Sequence, residues 1–96
     1  MNFVRLIGRS ATEVTFAPAD ESPKASFILE IAEESESQFF RILCNGKAAV
    51  MLRRGSDRGP LIGRHVAVTG SLRHEVSAGG AKRYFVQATE VEFIEG

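Results

Sequence analysis

Apolar and polar residues alternate with a period of two through most of this chain, and that period specifies half-buried β-strands. In Phe3-Val4-Arg5-Leu6-Ile7-Gly8, Val4 and Leu6 take one face while Phe3, Arg5 and Ile7 take the other. Glu13 to Ala17 continues with β-prone residues until Pro18, which has no N–H for a ladder and ends the run. Ala19-Asp20-Glu21-Ser22-Pro23-Lys24 is a turn-forming cluster. The second strand, Ala25 to Ala32, sets Ala25, Phe27, Leu29 and Ile31 on one face, and Glu33 to Ser37 is a short acidic connection. The third strand, Gln38 to Asn45, places Phe40, Ile42 and Cys44 toward a core, with Phe39, Arg41 and Leu43 on the opposite side.

Asn45-Gly46 then turns the chain. Lys47 to Arg54 carries Ala48, Ala49, Met51 and Leu52 without a breaker, which predicts a helix of about two turns with Gly55 as its C-terminal cap. Ser56 to Gly63, with Gly59-Pro60, reads as a loop. The fourth strand, Arg64 to Arg73, points Val66, Val68 and Leu72 inward with Gly70 between them, and Ala67, Thr69, Ser71 and Arg73 outward. Ser77-Ala78-Gly79-Gly80 is a hairpin-type turn, and the last strand, Lys82 to Ile94, is long enough to require a bend or bulge. The order is strand, strand, strand, short helix, strand, strand. That is the order of an all-β, five-stranded OB-fold barrel with one short helix between strands three and four. A β-sandwich or small open barrel is the alternative. At 96 residues, the whole of 1–96 reads as one domain.

Several function classes drop out. No apolar run approaches the roughly 18 residues that span a membrane. Met1 to Arg9 lacks the apolar stretch and cleavage site of a secretory signal. The lone cysteine, Cys44, cannot form an internal disulfide, fits a reducing compartment and reads as an inert core thiol. His65 and His74 are oddly spaced on one strand and point to opposite faces. No His/Cys grouping has metal-ligand spacing. Gly46-Lys47 lacks both the preceding glycine and the following Ser/Thr of a phosphate-binding loop. The expectation is a protein without enzymatic activity, cofactor or metal.

Charge gives the positive lead. Twelve basic and twelve acidic side chains cancel, which taken alone argues against nucleic acid. The chain is polarised, however: Met1 to Phe40 carries a balance of −4 and Arg41 to Gly96 one of +4. The window Arg41 to Arg83 holds nine basic residues against Asp57 and Glu75, a balance of +7. Single strands are held by basic grooves whose aromatic rings stack bases at about 1–3 kcal/mol each. Phe39 and Arg41 share the outward face of strand three. Arg73 takes the corresponding face of strand four, Arg83 and Tyr84 open strand five, and Lys47 begins the helix. A ring shielded by a neighbouring subunit and simply solvated arginines would give the same periodicity, so both readings stand at this point.

The chain resembles the DNA-binding domain of bacterial single-stranded-DNA-binding proteins. Met1-Asn2-Phe3-Val4-Arg5-Leu6-Ile7-Gly8-Arg9 matches that family's M-N-x-V-x-L-I-G-R opening. Phe39 to Lys47 is similar to its aromatic-led third strand ending in Gly-Lys, with Ala48 continuing into its helix. Gly63-Arg64-His65-Val66-Ala67-Val68-Thr69-Gly70-Ser71-Leu72 matches G-x-x-V-x-V-x-G-x-L. Gly80 to Tyr84, followed by Glu90-Val91-Glu92-Phe93-Ile94, matches its closing strand.

The resemblance implies an OB fold, assembly into a homotetramer or homodimer, and sequence-independent binding of single-stranded DNA in replication, recombination or repair. It also implies replication proteins as partners and a place in the cytoplasm with the nucleoid, or in an organellar stroma. Phe39 matches a base-stacking position, and Arg41, Lys47, Arg73, Lys82 and Arg83, joined by Tyr84, are the remaining expected nucleic-acid contacts. The departures are specific. There is no tryptophan, Asn45 and Ser77 stand where the family has aromatics, and the end of strand two offers only Glu33 and Glu34. The loops are short, and a tail-less member is expected because the sequence ends at Gly96. Losing stacking positions at about 1–3 kcal/mol each implies reduced, strongly salt-dependent affinity. The alternative is an oligomeric adaptor or protein-interaction module on the same fold, with little or no DNA binding.

Overall fold

The alternating runs close into a ring of strands in the computed structural model, which describes residues 2–17 and 24–94. The elements are β1 (Val4–Ser10), β2 (Thr15–Phe16), β3 (Lys24–Ala32), β4 (Ser37–Asn45), α1 (Lys47–Ser56), β5 (His65–Val76) and β6 (Lys82–Phe93). The turn cluster read before Lys24 lies outside the described residues. The sheet order is β1-β5-β6-β4-β3-β2, and an additional β1–β3 pairing joins the first strand to the other side. With β2 set aside as a two-residue extension paired to Ser26 and Ala25 of β3, five strands and one helix occupy the expected order.

Every pairing is antiparallel except β4 with β6, where Ile42 lies beside Val86 and Cys44 beside Ala88. The β1–β3 junction is confined to Arg9↔Glu30 and Ser10↔Leu29, so the Val4–Gly8 stretch of β1 is paired on its β5 side alone among the described residues. The Asn2 side chain extends that ladder by one step. Its amide donates to the Leu72 carbonyl, and its oxygen accepts the Leu72 N–H at 2.9 Å.

The inward-facing residues meet as the alternation requires. Leu29, Ile42, Val66, Val68, Val86 and Val91 are fully buried, with Phe27 and Cys44 among them. The helix packs on β3, β4 and β6 through Ala48, Ala49 and Leu52. Leu61, in the loop after the helix, is also fully buried. That loop is pinned by Glu13, whose carboxylate accepts the N–H groups of Leu61 at 2.8 Å and Ile62 at 3.2 Å. Each Val or Leu side chain buried in this way contributes about 1.5–3 kcal/mol.

Three details depart from the sequence reading. Gly55 is inside the helix, which runs on to Ser56, and a Cβ there would stand 2.1 Å from the Phe93 ring, so its small size serves packing. Leu72 is exposed at the point where β5 runs past Gly70, the last of its residues paired with β1. Val86, opposite Leu72 on β6, is still paired with Ile42 of β4 and buried, and beyond that pair β5 and β6 continue as a two-stranded ribbon. Ala67 points outward yet is buried, because its short side chain lies between its pairing partners Ile7 and Glu92. The expected irregularity in the last strand is present. Thr69 pairs with Glu90 and Gly70 with Ala88, which leaves Thr89 as the extra residue of a bulge.

Candidate nucleic-acid interface

The ring turns one set of side chains outward across four neighbouring strands, and register determines which of them meet. On β4 these are Phe39, Arg41 and Leu43, opposite Glu30, Ile28 and Ser26 of β3. On the far side of β4 lies β6, whose outward residues Arg83, Phe85 and Gln87 are paired with Glu75, Arg73 and Ser71 of β5. Phe39, Arg41, Arg73 and Arg83 thus share one surface. Phe39 is 61% exposed, its ring open to stacking.

The sequence reading passed over Phe85. It is half-buried on this surface, with the Arg41 guanidinium 5.9 Å from its ring centroid and Arg73 opposite it in register. Strict alternation from Arg83 identifies it, since residues two apart on a strand share a face. The same rule turns Lys82 and Tyr84 the other way. Tyr84, 59% exposed, is paired with His74, with ring centroids 5.8 Å apart, and Lys82 is paired with Val76 on the opposite side of the ribbon. Lys47 stands past the end of β4 as the first residue of α1, after Gly46 (φ 56°) has turned the chain. The expected contacts therefore fall into three groups: four on the sheet face, two on the reverse of the ribbon and one at the start of the helix.

The basic window divides in the same manner. Arg53 lies over the Phe16 ring at 4.4 Å. Arg64 lies over Phe93 at 4.4 Å and donates to the Gly55 carbonyl at 2.7 Å. Arg54 and Arg58 join Arg64 around a separate cleft beside Met51 and Phe93. Part of the +7 excess therefore holds the helix and its loop in place. On the sheet face, acidic groups moderate the field: Glu75 accepts a hydrogen bond from Arg41 at 2.7 Å, and Glu30 accepts one from Arg9 at 2.9 Å. The Arg9 hydrogen bond, reinforced by Ser37, holds the Glu30 carboxyl below its ordinary value. Toward the β1–β2 connection the face continues into a cavity of ≈ 240 Å³ lined by Thr12, Thr15, Ser26, Ile28 and Arg41, among others.

The positions that depart from the resemblance also have places. Asn45 is exposed at the end of β4, Glu33 and Glu34 are exposed in the β3–β4 connection, and Ser77 begins the turn of the ribbon. Cys44 is buried, and burial pushes its thiol up to about 12. Among the described residues no group of three His, Cys, Asp or Glu side chains is placed to hold a metal ion. Nor is any helix among them long and apolar enough to cross a membrane.

No protein-family model and no curated protein matches the chain in sequence. Solved structures do match. A Plasmodium falciparum SSB in complex with ssDNA superposes with a TM-score of 0.78 at 20% identity, covering 99% of this chain and 96% of that one. The SSB domain of a Synechococcus protein superposes with a TM-score of 0.75 at 19% identity, covering 96% of this chain and 94% of that one. The sheet order, the helix between its third and fourth long strands and these superpositions agree: the chain has the OB fold of the SSB proteins it is similar to.

Proposed function

We propose that this chain binds single-stranded DNA without sequence preference, as a non-enzymatic OB-fold protein of replication, recombination or repair. The observation that carries the reading is the outward face, where Phe39, Arg41, Phe85, Arg73 and Arg83 from three strands combine rings for bases with cations for phosphates. Phe39 and Phe85 stack bases; Arg73 and Arg83 contact phosphates along the strand. Lys47 extends the path at the helix, and Lys82 and Tyr84 serve a strand that passes around the ribbon. Affinity is reduced, because Asn45 and Ser77 offer no ring and Glu30 and Glu75 lie on the face.

The protein acts as a homodimer or homotetramer of single-domain chains. Phe3, 68% exposed, precedes the half-paired stretch of β1 and Ile7, 53% exposed, lies within it, and an unpaired strand edge is completed by another strand. Its place is the cytoplasm or an organellar stroma, among replication proteins.

Fluorescence anisotropy with labelled oligo-dT tests the reading. Saturable binding at about 50 mM salt that weakens steeply as salt rises is the expected result. No binding at tens of micromolar protein would overturn it and leave the adaptor role on the same fold.

A further inference from the structure

Glu75 lies on the outward face near the end of β5, where register sets it opposite Arg83 and one step from the Arg73–Phe85 pair. Its carboxylate accepts the Arg41 Nη1 hydrogen bond at 2.7 Å, and the same guanidinium lies 5.9 Å from the centre of the Phe85 ring. One arginine is thus tied to an anion and held across an aromatic ring. A carboxylate and a phosphate offer a guanidinium the same kind of anionic oxygens.

We propose that Glu75 is an internal stand-in for phosphate. In the free protein it occupies Arg41 and keeps the guanidinium over Phe85. An incoming single strand displaces it, draws Arg41 onto a backbone phosphate and uncovers Phe85 for a base. The proposal rests on the single-strand reading above and names the contact that sets its strength.

The magnitudes fit displacement. An ion pair as exposed as this one amounts to a factor of about two to five in an equilibrium constant, weak enough for a phosphate to replace it. Because Arg41 exchanges one anionic partner for another, it adds little to the salt dependence. That dependence falls to Arg73 and Arg83. Removing the Glu75 charge frees Arg41 to neutralise a phosphate outright, which adds about 0.7 to the slope of log affinity against log salt.

The experiment is an oligo-dT anisotropy titration across a salt series with wild type, E75Q, R41A and the R41A/E75Q double variant. E92Q serves as the control for total charge, since Glu92 pairs with Arg5 at 3.9 Å on another part of the barrel. E75Q should bind about two- to five-fold tighter at low salt and with a steeper slope. In the R41A background the same substitution should change neither, because a stand-in for phosphate acts only through Arg41. E75Q indistinguishable from wild type, an equal gain with and without Arg41, or an equal gain from E92Q would each overturn the proposal. F85L keeps an apolar side chain without the ring and should weaken binding at an unchanged slope; F85L binding as wild type does would overturn the uncovering of Phe85. If wild type binds while E75Q changes nothing, the stand-in role alone fails. If neither wild type nor any variant binds, the single-strand reading fails and this proposal with it.

Discussion

Gly70 of β5 lies so close to β6 that a Cβ placed on it would stand 2.1 Å from the Gln87 carbonyl oxygen. The contact sits at the bulge, where the partner of β5 jumps from Glu90 to Ala88 and the sheet bends. The obstacle is backbone on both sides, so no rotamer change relieves it. Gly70→Ala should therefore destabilise the protein by about 1–3 kcal/mol or more, read as a lowered denaturation midpoint. An unchanged midpoint would mean that the two strands part at the bulge at no cost.

Phe39 and Arg73 are expected to fail in different ways. Phe39→Ala removes a stacking ring and should weaken oligo-dT binding by about 1–3 kcal/mol with little change in salt slope. Arg73→Ala removes a phosphate contact and should lower the slope by about 0.7. Salt titrations of both variants check the assignment, and the reverse pattern would refute it.

Acid should loosen the ring at the β1–β3 junction. The hydrogen bond from Arg9, then that from Ser37, holds the Glu30 carboxyl below its ordinary value of 4.5. A depressed carboxyl stabilises the fold fully above the unfolded value, and that contribution is lost as pH falls from 4.5 through the folded value. Thermal melts across this acid window should show a steeper loss for wild type than for Glu30→Gln, which has no charge to lose. Parallel curves for the two proteins would remove Glu30 from the account.

Cys44 should behave as a reporter of opening. Burial lifts its thiol to about 12, so almost no thiolate exists near neutral pH. A chromogenic disulfide reagent should react slowly with the native protein and rapidly once denaturant unfolds it. Full reaction of the native protein within mixing time would show that the β4 core position opens freely.

Alternation along the chain was enough to assign the faces of β1, β3 and β4, because each of these strands has a filled barrel on one side and the exterior on the other. Burial was less legible than facing. Leu72 points the same way as Val66 and Val68, yet it is exposed because β1 stops pairing with β5 at Gly70, two residues earlier. Ala67 faces out but is shaded by its neighbours across the strands, a property of register that no single strand displays. The face itself was half legible. Phe39, Arg41, Arg73 and Arg83 follow from period two, as Phe85 would have. The hold of Glu75 on Arg41 crosses 34 residues and appears only when β6 lies between their strands.

The parallel seam between β4 and β6 has a kinetic consequence. It joins segments from opposite halves of the chain, the kind of non-local pairing that forms late and slowly. During synthesis the outward surface has no existence until the final strand has emerged and docked, so an incomplete chain offers a polynucleotide no assembled platform. Any ligand held across that seam recognises only the finished fold and stabilises it by mass action, with the logarithm of its own concentration once that exceeds Kd.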